Sequence, residues 1–139
     1  MLYGRYQHNL DAKGRIFVPA KLREKLGETF MAAAVMDRCV CLYAMDEWDK
    51  LMAGLGEMPM TKARKLQRHL SANAADVTVD AQGRILLPKH LLAYAELTKE
   101  TLVIGAGNRA ELWNPAAFEA ESDTMTPDEV EAEFMALGF

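Results

Sequence analysis

A twelve-residue segment occurs twice in this chain. Asp11-Ala12-Lys13-Gly14-Arg15-Ile16-Phe17-Val18-Pro19-Ala20-Lys21-Leu22 returns 69 positions later as Asp80-Ala81-Gln82-Gly83-Arg84-Ile85-Leu86-Leu87-Pro88-Lys89-His90-Leu91. Seven of the twelve positions are identical, and Phe17/Leu86 and Val18/Leu87 keep their apolar character. Allowing one inserted residue, the similarity continues through Leu42-Tyr43 with Leu112-Trp113 and Trp48 with Phe118. Repetition of this kind makes the fold two copies of one unit of roughly forty-five residues. A unit that small buries too little apolar surface to be stable alone, so the copies are expected to pack together.

Each copy carries the same local instructions. Asp-x-x-Gly is a tight-turn signal in which Gly14 or Gly83 supplies a positive φ. The following Arg-Ile-x-Val/Leu is strand-forming, and Pro19 and Pro88 suit the first turn of a short helix. Downstream, residues 29–36 and 101–104 read as strands. Turns at Asp37-Arg38 and Gly105-Ala106-Gly107-Asn108 then lead to return strands at 39–43 and 109–113. The expected unit is β-β-α-β-β, and the expected class is α+β, two tandem units forming a pseudo-symmetric β-barrel with flanking helices.

Between the copies, residues 61–70 read as a helix, with Ala63, Leu66 and Leu70 on one face and Lys62, Arg64, Lys65 and Arg68 elsewhere on its surface. Near the end, Thr126-Pro127-Asp128-Glu129 is a capping box with Pro at the first helical position, followed by Val130, Phe134 and Leu137 in one apolar stripe. The organisation expected from this is unit 1 at 5–47, a helical connector at 48–75, unit 2 at 76–119 and an acidic C-terminal helix at 120–139.

The formal charge of −4 argues against a protein that coats nucleic acid through bulk positive charge. Its distribution changes that reading. Residues 110–139 hold eight acids and no Lys or Arg, leaving 16 basic against 12 acidic residues in the first 109. Within residues 1–27 there are six basic residues and two acids. A mildly basic repeat body is joined to a strongly acidic tail.

Other function classes find little support. Cys39 and Cys41 are too few for a disulfide framework and lie on one strand, a poor geometry for bridging each other; as small hydrophobes they fit a reducing cytoplasm. No second ligand pair accompanies them, so no structural zinc site is expected. The longest apolar run, residues 30–36, is too short to span a bilayer, and the N-terminus lacks an apolar signal core. Gly105-Ala106-Gly107-Asn108-Arg109-Ala110 imitates a dinucleotide-binding G-x-G-x-x-A. However, Asn114-Pro115 cuts short the helix that motif needs, and the repeat makes the stretch a hairpin turn. Ser71 and Ser122, the two serines, have no nucleophile-elbow context, and His8, His69 and His90 are scattered. No enzyme, cofactor, metal or small-molecule substrate is expected.

What remains is the repeated Gly-Arg. Arginines directly after two equivalent turns would stand on neighbouring loops of one barrel face. They suit phosphate contact and bidentate reading of guanine O6/N7. The same arginines could instead pair with the turn aspartates Asp11 and Asp80 in a solvated salt bridge worth little. Spacing alone leaves both readings open, and it leaves the basic helix at 61–70 open between an auxiliary phosphate contact and a solvated face.

The segment from His8 to Arg23, its second copy at 80–88, and Glu111-Leu112-Trp113 together resemble the MraZ family of bacterial transcriptional regulators, built from two AbrB-type DNA-binding units. Two copies at this separation, each with its following Pro, are specific, whereas AbrB-like antitoxins and transition-state regulators typically carry the unit once. The resemblance implies a swapped-hairpin type of barrel. It also implies a cytoplasmic, nucleoid-associated protein encoded at the head of the division and cell-wall gene cluster. Such a protein represses its own operon by binding G-rich direct repeats of double-stranded DNA as a homo-oligomeric ring. The family's DNA-contacting arginine falls on Arg15 and its counterpart on Arg84. The loop residues Lys13, Gly14, Gln82 and Gly83 complete the expected DNA-binding set. Phe118 stands where the family would have Trp, and Met52, Met58 and Met60 make the connector individual. A contrasting expectation is an interaction module, antitoxin-like or for assembly, whose acidic C-terminal helix docks on a basic partner.

Overall fold

The computed structural model describes residues 1–121 and 125–139; Ser122 and Asp123 lie outside the described residues. The first copy runs β1 (Arg5–Asn9), β2 (Arg15–Phe17), α1 (Ala20–Leu26), β3 (Thr29–Ala34) and β4 (Val40–Tyr43). It is followed by α2 (Met45–Gly54), a 3-10 turn (Leu55–Glu57) and α3 (Met60–Asn73). The second runs β5 (Ala75–Thr78), β6 (Arg84–Leu86), α4 (Lys89–Tyr94), β7 (Glu100–Gly105) and β8 (Ala110–Trp113), then α5 (Pro115–Glu121) and α6 (Pro127–Ala136). Both copies therefore have the β-β-α-β-β order that the repeat predicts.

Local differences from the sequence reading have local causes. Pro19 and Pro88 stand one residue before α1 and α4, with ψ of 142° and 148°, so they are extended caps and not first-turn residues. Strand β3 stops at Ala34 because Asp37 and Arg38 both take positive φ (61° and 54°) to turn the chain tightly into β4. Helix α3 extends beyond 61–70 at both ends. It starts directly after Pro59, which supplies the fixed φ without needing an N–H, and it ends where Ala74 turns extended into β5.

The strands do not close within their own copies. One antiparallel sheet has the order β1-β7-β8-β4-β3-β5, so β1 of the first copy pairs with β7 of the second, and β5 of the second pairs with β3 of the first. Exchange of the two copies maps this order onto itself. A separate ladder joins β2 to β6, with Ile16 directly opposite Ile85, the same repeat position in each copy. At the sheet centre Cys41 faces Glu111, again equivalent positions across the one-residue insertion. A pseudo-two-fold axis therefore passes between Ile16 and Ile85 and between Cys41 and Glu111.

Two apolar clusters hold this arrangement. Ile16 and Ile85 meet Leu22, Phe30, Leu42, Leu91, Val103 and Leu112 in the main core, between the short ladder and the large sheet. On the sheet's other face, Tyr43, Trp48, Leu55, Leu70 and Trp113 form a second cluster beneath α2, α3 and α5. The repeat extends here too: Trp48 lies 6.0 Å from Tyr43 and Phe118 lies 5.4 Å from Trp113, ring centre to ring centre. Phe118 thus fills the place of Trp48. The glycine stretch belongs to the β7–β8 hairpin, as the repeat requires, with Gly105 the last residue of β7 and residues 106–109 making the turn. At Gly105 a Cβ would come within 2.4 Å of the Tyr3 backbone nitrogen, so its missing side chain admits the N-terminal segment and serves no phosphate. No helix among the described residues is long and apolar enough to cross a membrane.

Candidate nucleic-acid interface

The two repeated turns are built from their aspartates. Asp11 Oδ1 accepts from the Lys13 amide (3.0 Å) and the Arg15 amide (2.8 Å), and Oδ2 accepts from Arg15 Nε (2.6 Å). Asp80 repeats the set with the Gln82 amide, the Arg84 amide and Arg84 Nε, each at 2.9 Å. Backbone bonds between Asp11 and Arg15, and between Asp80 and Arg84, close each turn from the other side. Gly14 and Gly83 sit at φ of +85° and +80°, a conformation that a β-carbon would strain. At Gly83 a Cβ would also meet the Phe17 ring at 2.8 Å.

Each aspartate engages the Nε edge of its arginine. Both terminal nitrogens of Arg15 are left without a partner among the described residues, and Arg84 adds one longer contact, Nη1 to Asp11 at 3.8 Å. The ion pairs that a purely structural role calls for are therefore present, and at a partly exposed surface they contribute little stability. The same pairs fix the guanidinium orientation while leaving nitrogens free to donate elsewhere, which is what a preorganised anion or base reader needs.

The fold brings the two turns together. Because β2 and β6 pair, Arg15 lies opposite Leu86 and Phe17 opposite Arg84; Val18 N bonds Gly83 O and Leu87 N bonds Gly14 O, each at 2.9 Å. Gly14 and Gly83 are buried, while Lys13 and Gln82 are exposed at the turn tips. All six residues expected from the sequence, Lys13, Gly14, Arg15, Gln82, Gly83 and Arg84, thus share one face.

Arg23 joins them and was not among the residues anticipated. Its Nε donates to Val18 O at 2.8 Å, its guanidinium lies 5.5 Å from the Phe17 ring centre, and it borders Gly83 of the second copy. At the equivalent position of the second copy stands Leu92, which borders Gly14. Aligning the copies one residue further would have exposed this contrast. Together with Lys13 against Gln82, it makes the face asymmetric in charge although the backbone is nearly two-fold. At the turns Lys13, Arg15, Arg23 and Arg84 stand with Asp11 and Asp80, and Glu24 and Glu28 border the groove that Arg23 and Asp80 line.

Asp11 is held below the ordinary carboxylate range, chiefly by the Arg15 amide, which together with the Arg15 side chain and the Lys13 amide outweighs the opposing effect of desolvation. Asp80 is lowered in the same way, chiefly by the Arg84 amide. Both turns therefore keep their anionic form at neutral pH.

A second polar cluster lies at the other end of the pseudo-axis. Cys39 and Cys41 are buried with their sulfurs 3.9 Å apart, and a Glu111 carboxylate oxygen completes a group within 4.8 Å. That carboxylate already accepts from Arg109 Nε and Nη2, each at 2.9 Å, and from Trp113 Nε1 at 3.0 Å. Burial is the main cause that pushes the neighbouring Tyr43 up to about 12. With the carboxylate neutralised by arginine, the cluster reads as an internal network that satisfies a buried charge.

Comparison with known proteins bears on the whole chain. The family model for the MraZ protein, whose description likens the family to antitoxins, matches twice, over residues 1–69 and 70–135. A protein of Acetivibrio thermocellus is 41% identical over 142 residues, covering 99% of each chain. One of Heliobacterium modesticaldum is 43% identical over 129 residues, covering 91% of this chain and 90% of its own. One of Halothermothrix orenii is 46% identical over 116 residues, 82% and 81% respectively. All three bear the name transcriptional regulator MraZ.

Proposed function

Since this chain belongs to the MraZ family of DNA-binding transcriptional regulators, which are not enzymes, we propose that it represses its own operon by binding G-rich direct repeats in the promoter. Arg15 and Arg84 read or clamp the boxes, Lys13 and Gln82 contact the DNA from the turn tips, and Gly14 and Gly83 let the two turns approach closely. The observation that carries this reading is the pair of aspartate-held arginines on the β2–β6 face. It is supported by the charge asymmetry of that face. A perfect two-fold reader suits a palindrome, whereas one turn with Lys13 and Arg23 beside another with Gln82 and Leu92 suits an element with direction, as a direct repeat is.

A net charge of −4 leaves little general affinity for DNA, so strength comes from multivalency. A homo-oligomeric ring presenting several such faces to successive boxes makes every contact after the first effectively intramolecular. The protein then works in the cytoplasm, associated with the nucleoid. The test is a mobility-shift titration on the DNA immediately upstream of the gene, at two salt concentrations. Specific retention that weakens as salt is raised, yet stays stronger than retention of unrelated DNA at both concentrations, is expected. Binding indistinguishable from that to unrelated DNA would overturn the proposal.

The interaction-module reading keeps one supporting observation: Val130 and Phe134 of α6, and Leu137 just after it, are exposed. Deleting the residues after Phe118 separates the two readings, since it spares DNA contact at a single box if the turns bind DNA.

A further inference from the structure

Helix α6 and the surface beside α3 are opposite in character. Every residue from 125 to 139 is exposed, so α6 is not packed on its own body. Val130, Phe134 and Leu137 are 49%, 53% and 74% exposed, and with Met125 they border a shallow apolar groove whose charged lining residue is Glu133. An amphipathic helix with its apolar stripe in water is an unfinished contact. The helix is well formed all the same: Thr126 Oγ1 accepts from the Glu129 amide, as the capping box requires. It carries Asp128, Glu129, Glu131 and Glu133 and no basic residue.

The complementary surface lies between α2 and α3. There Met52, Leu55, Met58 and Met60 line a groove of about 590 Å³, with Arg64 as its charged member. Met60 is 83% exposed. Methionines form adaptable apolar surfaces suited to receiving aromatic side chains. Helix α3 carries Lys62, Arg64, Lys65 and Arg68 and no acid, the reverse of α6.

We propose that α6 of one copy docks in the methionine groove of a neighbouring copy, Phe134 entering between the methionines and Glu133 pairing with Arg64. This rests on the oligomeric reading above and gives it a contact. The occupant is a second copy because charge and apolar pattern match within one sequence, while α6 leaves its own chain's groove open. Helix and groove are different surfaces of the same chain, so the contact is head-to-tail, the type that closes into rings or runs on as filaments. Arg64 of α3 is then spent on protein contact, and Glu133 of the acidic tail has a partner.

Charge reversal tests the assignment in the full-length protein. Mass is measured by sedimentation for wild type, Arg64→Glu, Glu133→Arg, the double variant, and a 1:1 mixture of the two single variants. Wild type is expected as an oligomer, and each single variant shifted toward the monomer mass of 15.5 kDa. The mixture is expected to regain the large species, because the acidic helix of the Arg64→Glu chain meets the intact groove of the Glu133→Arg chain, and the reversed helix meets the reversed groove. The double variant should also assemble. Single variants that keep the wild-type mass would overturn the docking while leaving an oligomer built through another face. Rescue in the double variant but not in the mixture would mean that α6 folds onto its own chain, and would overturn it too. A monomeric wild type would overturn both the docking and the oligomeric reading.

Discussion

Ile85→Ala should destabilise both halves of the molecule equally, although Ile85 belongs to the second repeat. Ile16 and Ile85 face each other across the pseudo-axis with no exposed surface, so truncation leaves a cavity that the β2–β6 ladder cannot easily collapse. Such Ile→Ala changes cost about 2–5 kcal/mol. With a urea dependence of about 2 kcal/mol per molar, the midpoint should fall by about 1–2.5 M. The strand exchange makes the effect global: β1 hangs on β7 and β5 on β3, so neither repeat retains a complete sheet when the other opens. The two tryptophans allow a direct test, because Trp48 follows the first repeat's strands and Trp113 lies in the second's last strand. Ile85→Ala is introduced into Trp48→Phe and into Trp113→Phe, and unfolding is followed by fluorescence at one protein concentration. Each comparison is made with its own single-tryptophan parent. Equal shifts at both reporters are expected. A Trp48 midpoint that stays in place while the Trp113 midpoint falls would refute the interleaved fold. Ile16→Ala should behave alike, and the double variant should cost less than the sum, because each removes the other's neighbour.

Three further outcomes follow from the turn geometry. Combined Asp11→Ala and Asp80→Ala should weaken specific DNA binding even though two negative charges leave a DNA-facing surface; tighter binding in a titration would show that the aspartates only repel phosphate. Arg23→Leu, which copies the second repeat's Leu92, should lower affinity and blunt the preference for one orientation of an asymmetric box, measured on probes with the box reversed; unchanged preference would remove Arg23 from the interface. Asp11 and Asp80 have lowered native pKa values, so the stability they confer is complete above the ordinary value of 3.8 and is lost as pH falls through the native values. Thermal melts of the wild type and of Asp11→Asn/Asp80→Asn should accordingly differ at neutral pH and converge in strong acid; a constant difference would contradict the assignment.

Much of this architecture is readable from the chain because its signals are local and doubled. Asp-x-x-Gly-Arg states a turn, the apolar residues after it a strand, and a second occurrence at constant offset removes the ambiguity that a single short motif carries. The capping box at Thr126 places α6 for the same reason. The exchange of β1 and β5 between copies is not readable from such local signals, and only the family resemblance, with its swapped-hairpin barrel, implies it. Two similar units offer each first strand two near-equivalent partners, and only long-range packing chooses between them. The Arg109–Glu111–Trp113 network was equally hidden, since Glu111 reads as a surface residue until the axis places it opposite Cys41 in the sheet. At the interface, the motif names Arg15 and Arg84 but not Arg23, whose guanidinium reaches the second copy's turn only through the β2–β6 pairing. The motif also leaves open whether its arginines are structural or available, and the geometry makes them both: the Nε edge is fixed and the terminal nitrogens of Arg15 have no partner among the described residues.

The most direct test of the central claim pairs a change in the protein with a change in one atom of the DNA. Affinity is measured for wild type, Arg15→Ala and Arg84→Ala on promoter boxes containing guanine or 7-deazaguanine, which lacks the N7 acceptor. If these arginines read guanine, each truncation costs about 1–3 kcal/mol on normal DNA. The deaza substitution then weakens the wild type at the guanine each arginine contacts and adds little to the variant already lacking that arginine. Wild-type affinity retained by both variants, or a deaza effect of equal size with and without the arginines, would contradict the account.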